Sequence, residues 1–151
     1  MLSDRDVMRY YPKLLDRRES MEWVERQRAR YERDGHGLWL VEERETGNPV
    51  GQVGLVMQDL PSWPRQRYPE IGYLLHRPFW GRGFATEAAE RVRAYAFVER
   101  GFDQVISLIR PVNEPSQAVA RRLGMLVRGH AAFGGLAHLV FGIEQGDLPL
   151  G

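Results

Sequence analysis

The stretch Trp80-Gly81-Arg82-Gly83-Phe84-Ala85 constrains the fold most, because two glycines two residues apart stand between an extended segment, 70–76, and a helix. The helix is read from the small or apolar positions Ala85, Ala88, Ala89, Val92, Tyr95 and Ala96, which repeat at helical spacing. A glycine turn of this kind leaves backbone N–H groups free at a helix N-terminus, where the dipole adds about half a positive charge and favours a phosphate. Two familiar phosphate motifs fail here. A dinucleotide fingerprint wants a third glycine near Thr86, and a phosphate-binding loop wants Gly-Lys-Ser/Thr, whereas no lysine is near.

The remaining punctuation surrounds this turn with alternating helical and extended patterns and no repeat or long linker, which predicts one α/β or α+β domain over 1–151. Residues 3–10 read as the end of a helix stopped by Pro12. Ser20 is the expected cap of a helix running to about Asp34, with Met21, Val24, Gln27 and Tyr31 on its core face and Gly35 closing it. Segments 39–45 and 50–58 read as strands joined at Thr46-Gly47-Asn48-Pro49, 65–69 as a loop, and 104–110 as a further strand. Asn113 then stands where a strand gives way to a short helix ending before Gly124. It can cap that helix or turn its amide toward a ligand.

Composition narrows the classes of function. Basic and acidic side chains number 21 and 20, which argues against bulk phosphate neutralisation and hence against a nucleic-acid partner. All the basic residues but Lys13 are arginine. Without cysteine there is no disulfide, thiolate metal site or thiol nucleophile. No metal is expected, since His36, His76, His130 and His138 lack ligand spacing. No apolar run reaches the roughly 18 residues of a membrane span, and the N-terminal residues lack a leader core, so a soluble, cytoplasmic protein is expected.

Gly72-Tyr73, Trp80-Gly81-Arg82-Gly83-Phe84-Ala85-Thr86-Glu87-Ala88, Asn113-x-x-Ser116 and Leu123-Gly124-Met125 occur in an order that resembles the GNAT superfamily of acyl-CoA-dependent N-acetyltransferases. Within it the chain is most similar to the branch of ribosomal-protein N-terminal acetyltransferases. The resemblance implies a mixed, mostly antiparallel twisted sheet, flanked by helices and splayed to hold acetyl-CoA. It implies that backbone N–H groups of Gly81, Arg82, Gly83, Phe84, Ala85 and Thr86 hold the pyrophosphate. Trp80 stands where the motif has a polar residue, Arg82 adds charge, and Gly83 must lack a side chain. Backbone groups of Tyr73, Leu74 and Leu75 would bond pantetheine, with an N–H near Leu75 receiving the thioester oxygen, and Asn113 would contact the pantetheine arm.

For chemistry, the resemblance points to Glu70 as a base acting directly or through water, with a strand-end carboxylate as the alternative and His138 next in line. The tyrosine that many members place seven residues after the motif Asn falls on Ala120. Ser116 is therefore the candidate proton donor, or else a helix cap. The acceptor is a small-molecule or peptide amine. An α-amine with pKa near 8 is roughly a tenth neutral at pH 7, and a lysine-like amine near 10.4 about once in 2,500, so the first needs less help from a base. Tyr10, Tyr11 and Trp63 are candidates for the amine side. Members normally begin with a strand and most of a helix upstream of residues 2–10; either the start is late, or the first edge strand is lacking, or a partner chain fills the gap, and homodimerisation or reduced stability is expected. The alternative to an enzyme is an acyl-CoA-binding regulatory module that has lost transfer, suggested by Ala120 and the short N-terminus.

Overall fold

A computed structural model describes residues 2–9 and 14–148. Three helices surround one six-stranded sheet: α1 (Arg17–Asp34), β1 (Leu38–Glu42), β2 (Pro49–Asp59), β3 (Arg67–Leu75), α2 (Phe84–Ala94), β4 (Gln104–Ile109), α3 (Glu114–Arg122), β5 (Leu126–Phe133) and β6 (Leu136–Glu144). The strand order is β1-β2-β3-β4-β6-β5. Every neighbouring pair is antiparallel except β3 and β4, whose parallel register consists of the single pair Glu70 and Ile106. That matches the expected mixed, mostly antiparallel sheet, and places its weakest seam at the centre.

The main core lies where α2 and α3 cover one face. Ile71 and Leu75 of β3, Val105 and Ile109 of β4, and Phe141 and Ile143 of β6 meet Ala89 and Val92 of α2 and Val119 and Ala120 of α3 there. A turn of wider helix at Tyr95–Glu99 extends α2 and buries Ala96 and Phe97 against the same cluster. Strand alternation sends Tyr68 and Glu70 to the opposite face. There Leu60, Tyr68, Ile106 and Val140 form a smaller core with Trp63 packed against it.

Several local expectations are corrected. The cap of α1 is Asp16, not Ser20: its carboxylate accepts from the Glu19 N–H at 2.8 Å, and the Glu19 side chain accepts from the Asp16 N–H. This reciprocal pair outcompetes the later serine because it satisfies two donors at once. Gly35 closes the helix as read, with φ of 77°. Met21 and Val24 are exposed, at 62% and 45%, and Gln27 is the buried residue of α1. The apolar spacing of α1 thus marks a face that this sheet covers only in part, and β1 beside it is an edge strand with Leu40 exposed. Residues 67–69 belong to β3 and not to a loop, paired with Met57, Gln58 and Asp59. β5 escapes a reading by alternation because its side chains are mostly exposed on both faces.

Residues 5–9 form turns with no helix, and their continuation at Tyr10 and Tyr11 lies outside the described residues. Val7 and Met8 are buried. Arg77 fixes this segment with ion pairs of 2.9 Å to both Asp4 and Asp6. Among the described residues no helix is long and apolar enough to cross a membrane.

Replacing Asp16 with Ala removes one half of the α1 capping box and should lower stability by about 1 kcal/mol. Thermal or urea unfolding measures this, and Ser20→Ala in the same assay should be close to neutral.

Candidate functional site

Beyond Glu70 and Ile106 the two central strands part, and a cleft of about 860 Å³ opens between the end of β3, the N-terminus of α2 and the N-terminal half of α3. That volume is in the range of small-molecule and cofactor sites. Tyr73, Leu74 and Leu75 line one wall, and Trp80, Gly81, Gly83, Phe84, Ala85 and Thr86 the turn and first helical residues. Asn113 and Ser116 close the far side. Residues read from three separate parts of the sequence are thus brought to one cavity. Asp6, Val7 and Arg9 of the clamped N-terminal segment join them.

The glycines explain the turn. Gly81 and Gly83 have φ of 68° and 82°, in the left-handed region that costs a side-chain-bearing residue about 1–2 kcal/mol. A Cβ at either would meet no atom within 4 Å, so backbone shape and not crowding by the protein requires glycine here. Gly83 caps α2 without any side-chain bond, and the first bond inside the helix runs from the Glu87 N–H to the Gly83 carbonyl. The N–H groups of Phe84, Ala85 and Thr86 therefore have no acceptor within the helix and stand at its positive end. Trp80 secures the start of the turn, its indole N–H donating to the Leu75 carbonyl at 2.9 Å.

Arg82 is placed differently from the expectation. Its guanidinium pairs with Glu43 at 3.1 Å and stacks on Phe84 and Phe79, with its carbon 4.9 and 5.5 Å from the ring centroids. It does not line the cleft. Its charge braces the turn from behind, against the loop joining β1 and β2.

On the far wall Asn113 caps α3, its Oδ1 accepting from the Ser116 N–H at 3.2 Å. The cap is therefore Asn113's, and Ser116 occupies the first turn as the residue being capped. Tyr73 donates from its hydroxyl to the Ser116 carbonyl at 2.7 Å, tying β3 to α3 across the cleft. Ala120, at the place of the missing tyrosine, is fully buried in the main core.

Glu70 sits at the apex where the strands part, on the face opposite α2. It is 9% exposed and does not line the cleft. One carboxylate oxygen accepts from Gln58 Nε2 at 3.0 Å and the other from the Leu108 N–H at 2.9 Å. Burial pushes its carboxyl above the ordinary glutamate value, against the downward pull of these two bonds and of the Arg30 charge. Gln58 and Ser107, whose hydroxyl donates to the Ile71 carbonyl at 2.8 Å, complete this apex. Neither is singled out by sequence, since a polar residue on a strand carries no motif. Only the pairing register shows that they meet Glu70 and Ile71.

The other candidates lie elsewhere. His138 faces Phe133 edge-on, and its Nδ1 is 2.9 Å from the Leu136 carbonyl. His36 is buried between Tyr95 and Phe102 with Nδ1 2.6 Å from the Leu55 carbonyl. Trp63 packs edge-on against Tyr68 and donates to the His130 carbonyl, a place in the smaller core and not on the cleft wall.

Comparison with known proteins adds a family context. Residues 1–126 match the model of a family described as an acetyltransferase (GNAT) domain. YkkB of Bacillus subtilis (strain 168) is 40% identical over 125 residues, which cover 83% of this chain and 71% of that protein. The crystal structure of an acetyltransferase from Agrobacterium tumefaciens str. C58 superposes with a TM-score of 0.74 at 27% identity, covering 96% of this chain and 87% of that one. The structure of yncA from Salmonella typhimurium with its cofactor acetyl-CoA superposes at 0.67 and 18% identity, covering 95% and 84% of the two chains.

The raised carboxyl has a thermodynamic signature. Between the ordinary and the raised value the folded chain keeps a proton that the unfolded chain has lost, so stability falls as pH rises through that window. Glu70→Gln cannot titrate. Its melting temperature should gain on the parent's as pH is raised from about 4 upward, and parallel melting curves would show that burial puts no burden on this carboxyl.

Proposed function

Because the chain belongs to the acetyltransferase (GNAT) family, we propose that the cleft binds acetyl-CoA and presents its thioester to a primary amine, on a small molecule or at a peptide N-terminus. The amine attacks directly in a ternary complex. Nothing in the family context favours a regulatory module without transfer. The observation that carries the assignment is the convergence, on one cavity, of the β3 residues Tyr73 to Leu75 with Trp80, Gly81 and Gly83 of the turn and the first residues of α2 at its positive end.

The residues present fit the co-substrate. The N–H groups at the start of α2 point to a pyrophosphate, and the αL glycines let it approach the backbone. Past the single parallel rung, the backbone of β3 is left without a β4 partner, so pantetheine can lie there in the manner of an added strand. An N–H near Leu75 would then stabilise the oxygen of the tetrahedral adduct. The far wall is shaped by Asn113, whose cap orients the first turn of α3, and Ser116 is the proposed proton donor to the departing thiolate. CoA thiol, with a pKa close to the roughly 8.5 of cysteine, leaves readily even with a weak donor.

Glu70 is proposed as the base. Its raised proton affinity makes it a stronger base than an exposed carboxylate, and its position off the cleft lining requires a water to carry the proton. The amine then loses its proton toward β3 as the thiolate gains one from the α3 side.

Two measurements follow. Gly83→Ala should weaken CoA binding by tenfold or more in a calorimetric titration, because the new methyl group stands on the phosphate approach, while stability falls by only about 1–2 kcal/mol from the positive φ. Unchanged affinity would move the pyrophosphate elsewhere. In a thiol-release assay with acetyl-CoA and a pool of amines and peptides, Glu70→Gln should lower turnover by roughly 10² to 10⁴ near pH 7 and recover part of it at higher pH. Parental turnover at pH 7 with the true acceptor would remove Glu70 from the base role.

A further inference from the structure

The apex of the cleft shows how two strands are made to part inside a sheet. In a parallel ladder continuing from the Glu70–Ile106 pair, the Leu108 N–H of β4 and the Ile71 carbonyl of β3 are placed to bond each other. They do not. The Leu108 N–H donates to Glu70 Oε2 at 2.9 Å, and the Ile71 carbonyl accepts from Ser107 Oγ at 2.8 Å. Each half of the lost rung is satisfied by a side chain from one of the strands flanking the break.

Both groups are deep in the protein. Glu70 is 9% exposed and Ser107 2%, so water is a poor substitute for either side chain. A buried backbone group without a partner is costly enough to decide whether strands stay apart or close on each other. Gln58 holds the wedge from the next strand, its Nε2 donating to Glu70 Oε1 at 3.0 Å. Main-chain bonds hold β3 to β2 on its other side over nine consecutive pairs, and β4 to β6 over six. The two halves of the sheet are each internally continuous, and the wedge is at their junction.

We propose that Glu70 and Ser107 are positioning residues that hold the β3–β4 fork open by capping the rung that would otherwise close it, and that this sets the affinity for CoA. This rests on the assignment of the cleft to acetyl-CoA and is separate from any proton transfer by Glu70. The wedge needs an acceptor for the Leu108 N–H, not a charge or a base. An amide at position 70 supplies that acceptor through its oxygen and can still bond Gln58 once the Gln58 amide is turned over. An alanine supplies nothing, and leaves the Leu108 N–H free to seek the Ile71 carbonyl.

The test is titration of the full chain with CoA, in the absence of acceptor, for the parent, Glu70→Gln, Glu70→Ala and Ser107→Ala, each with a melting curve. Glu70→Gln should bind within about twofold of the parent. Glu70→Ala should bind about tenfold more weakly or worse, equivalent to about 1.4 kcal/mol, and Ser107→Ala should be weakened several-fold. A folded Glu70→Ala that binds like the parent overturns the proposal, as does a Glu70→Gln as weak as Glu70→Ala. If Glu70→Ala does not fold, Ser107→Ala decides: reduced affinity sustains the wedge and parental affinity overturns it. Failure of the parent itself to bind CoA would instead defeat the assignment of the cleft, and the wedge with it.

Discussion

The architecture turns on the one parallel contact in an otherwise antiparallel sheet, the pairing of β3 with β4 at Glu70 and Ile106. Strands in a sheet normally satisfy one another's backbone groups along their length, and a break in the middle of a sheet would expose them where water is scarce. Here the break is made tolerable by buried side chains at its apex and by the cleft beyond it. The same parting that threatens the sheet supplies what the proposed cleft uses, a length of β3 backbone that β4 does not pair.

The elements around the fork serve this geometry. α2 and α3 cover one face and bring their N-termini to the open end, where the αL glycines and the Asn113 cap set the backbone. Trp80 bonds the Leu75 carbonyl at the end of β3 and Tyr73 the Ser116 carbonyl across the cleft, and so they fix the turn and α3 relative to β3. On the other face, the positive charge of the half-buried Arg30 pulls the Glu70 carboxyl downward against the effect of burial. The Arg77 pairs with Asp4 and Asp6 add the N-terminal segment to the cavity wall. In the proposed binding mode the ligand is held chiefly by backbone groups, with side chains acting to keep that backbone in place.

This division explains what could be read from sequence. The turn at Gly81 and Gly83, the strand before it and the Asn113 junction were legible because positive φ and helix starts impose residue types. Ala120 was legible as the absence of a tyrosine. The pairing of Arg82 with Glu43 is not legible, because the two are 39 positions apart and nothing local signals the pair. The apex was only half legible: Glu70 stood out as a carboxylate, but Gln58 and Ser107 become meaningful only through register. At α1 two cap signals compete, Ser20 and the Asp16–Glu19 box, and the reciprocal box prevails; β5 buries too little to show alternation.

The most direct test of the central claim is hydrogen–deuterium exchange of the full chain with and without acetyl-CoA, read at the level of single amides. Binding in the fork should slow exchange at the β3 amides of Tyr73 to Leu75 and at those of residues 81–86 together, while the β5–β6 hairpin is unaffected. Protection confined to another surface, or none at saturating acetyl-CoA, would contradict the account.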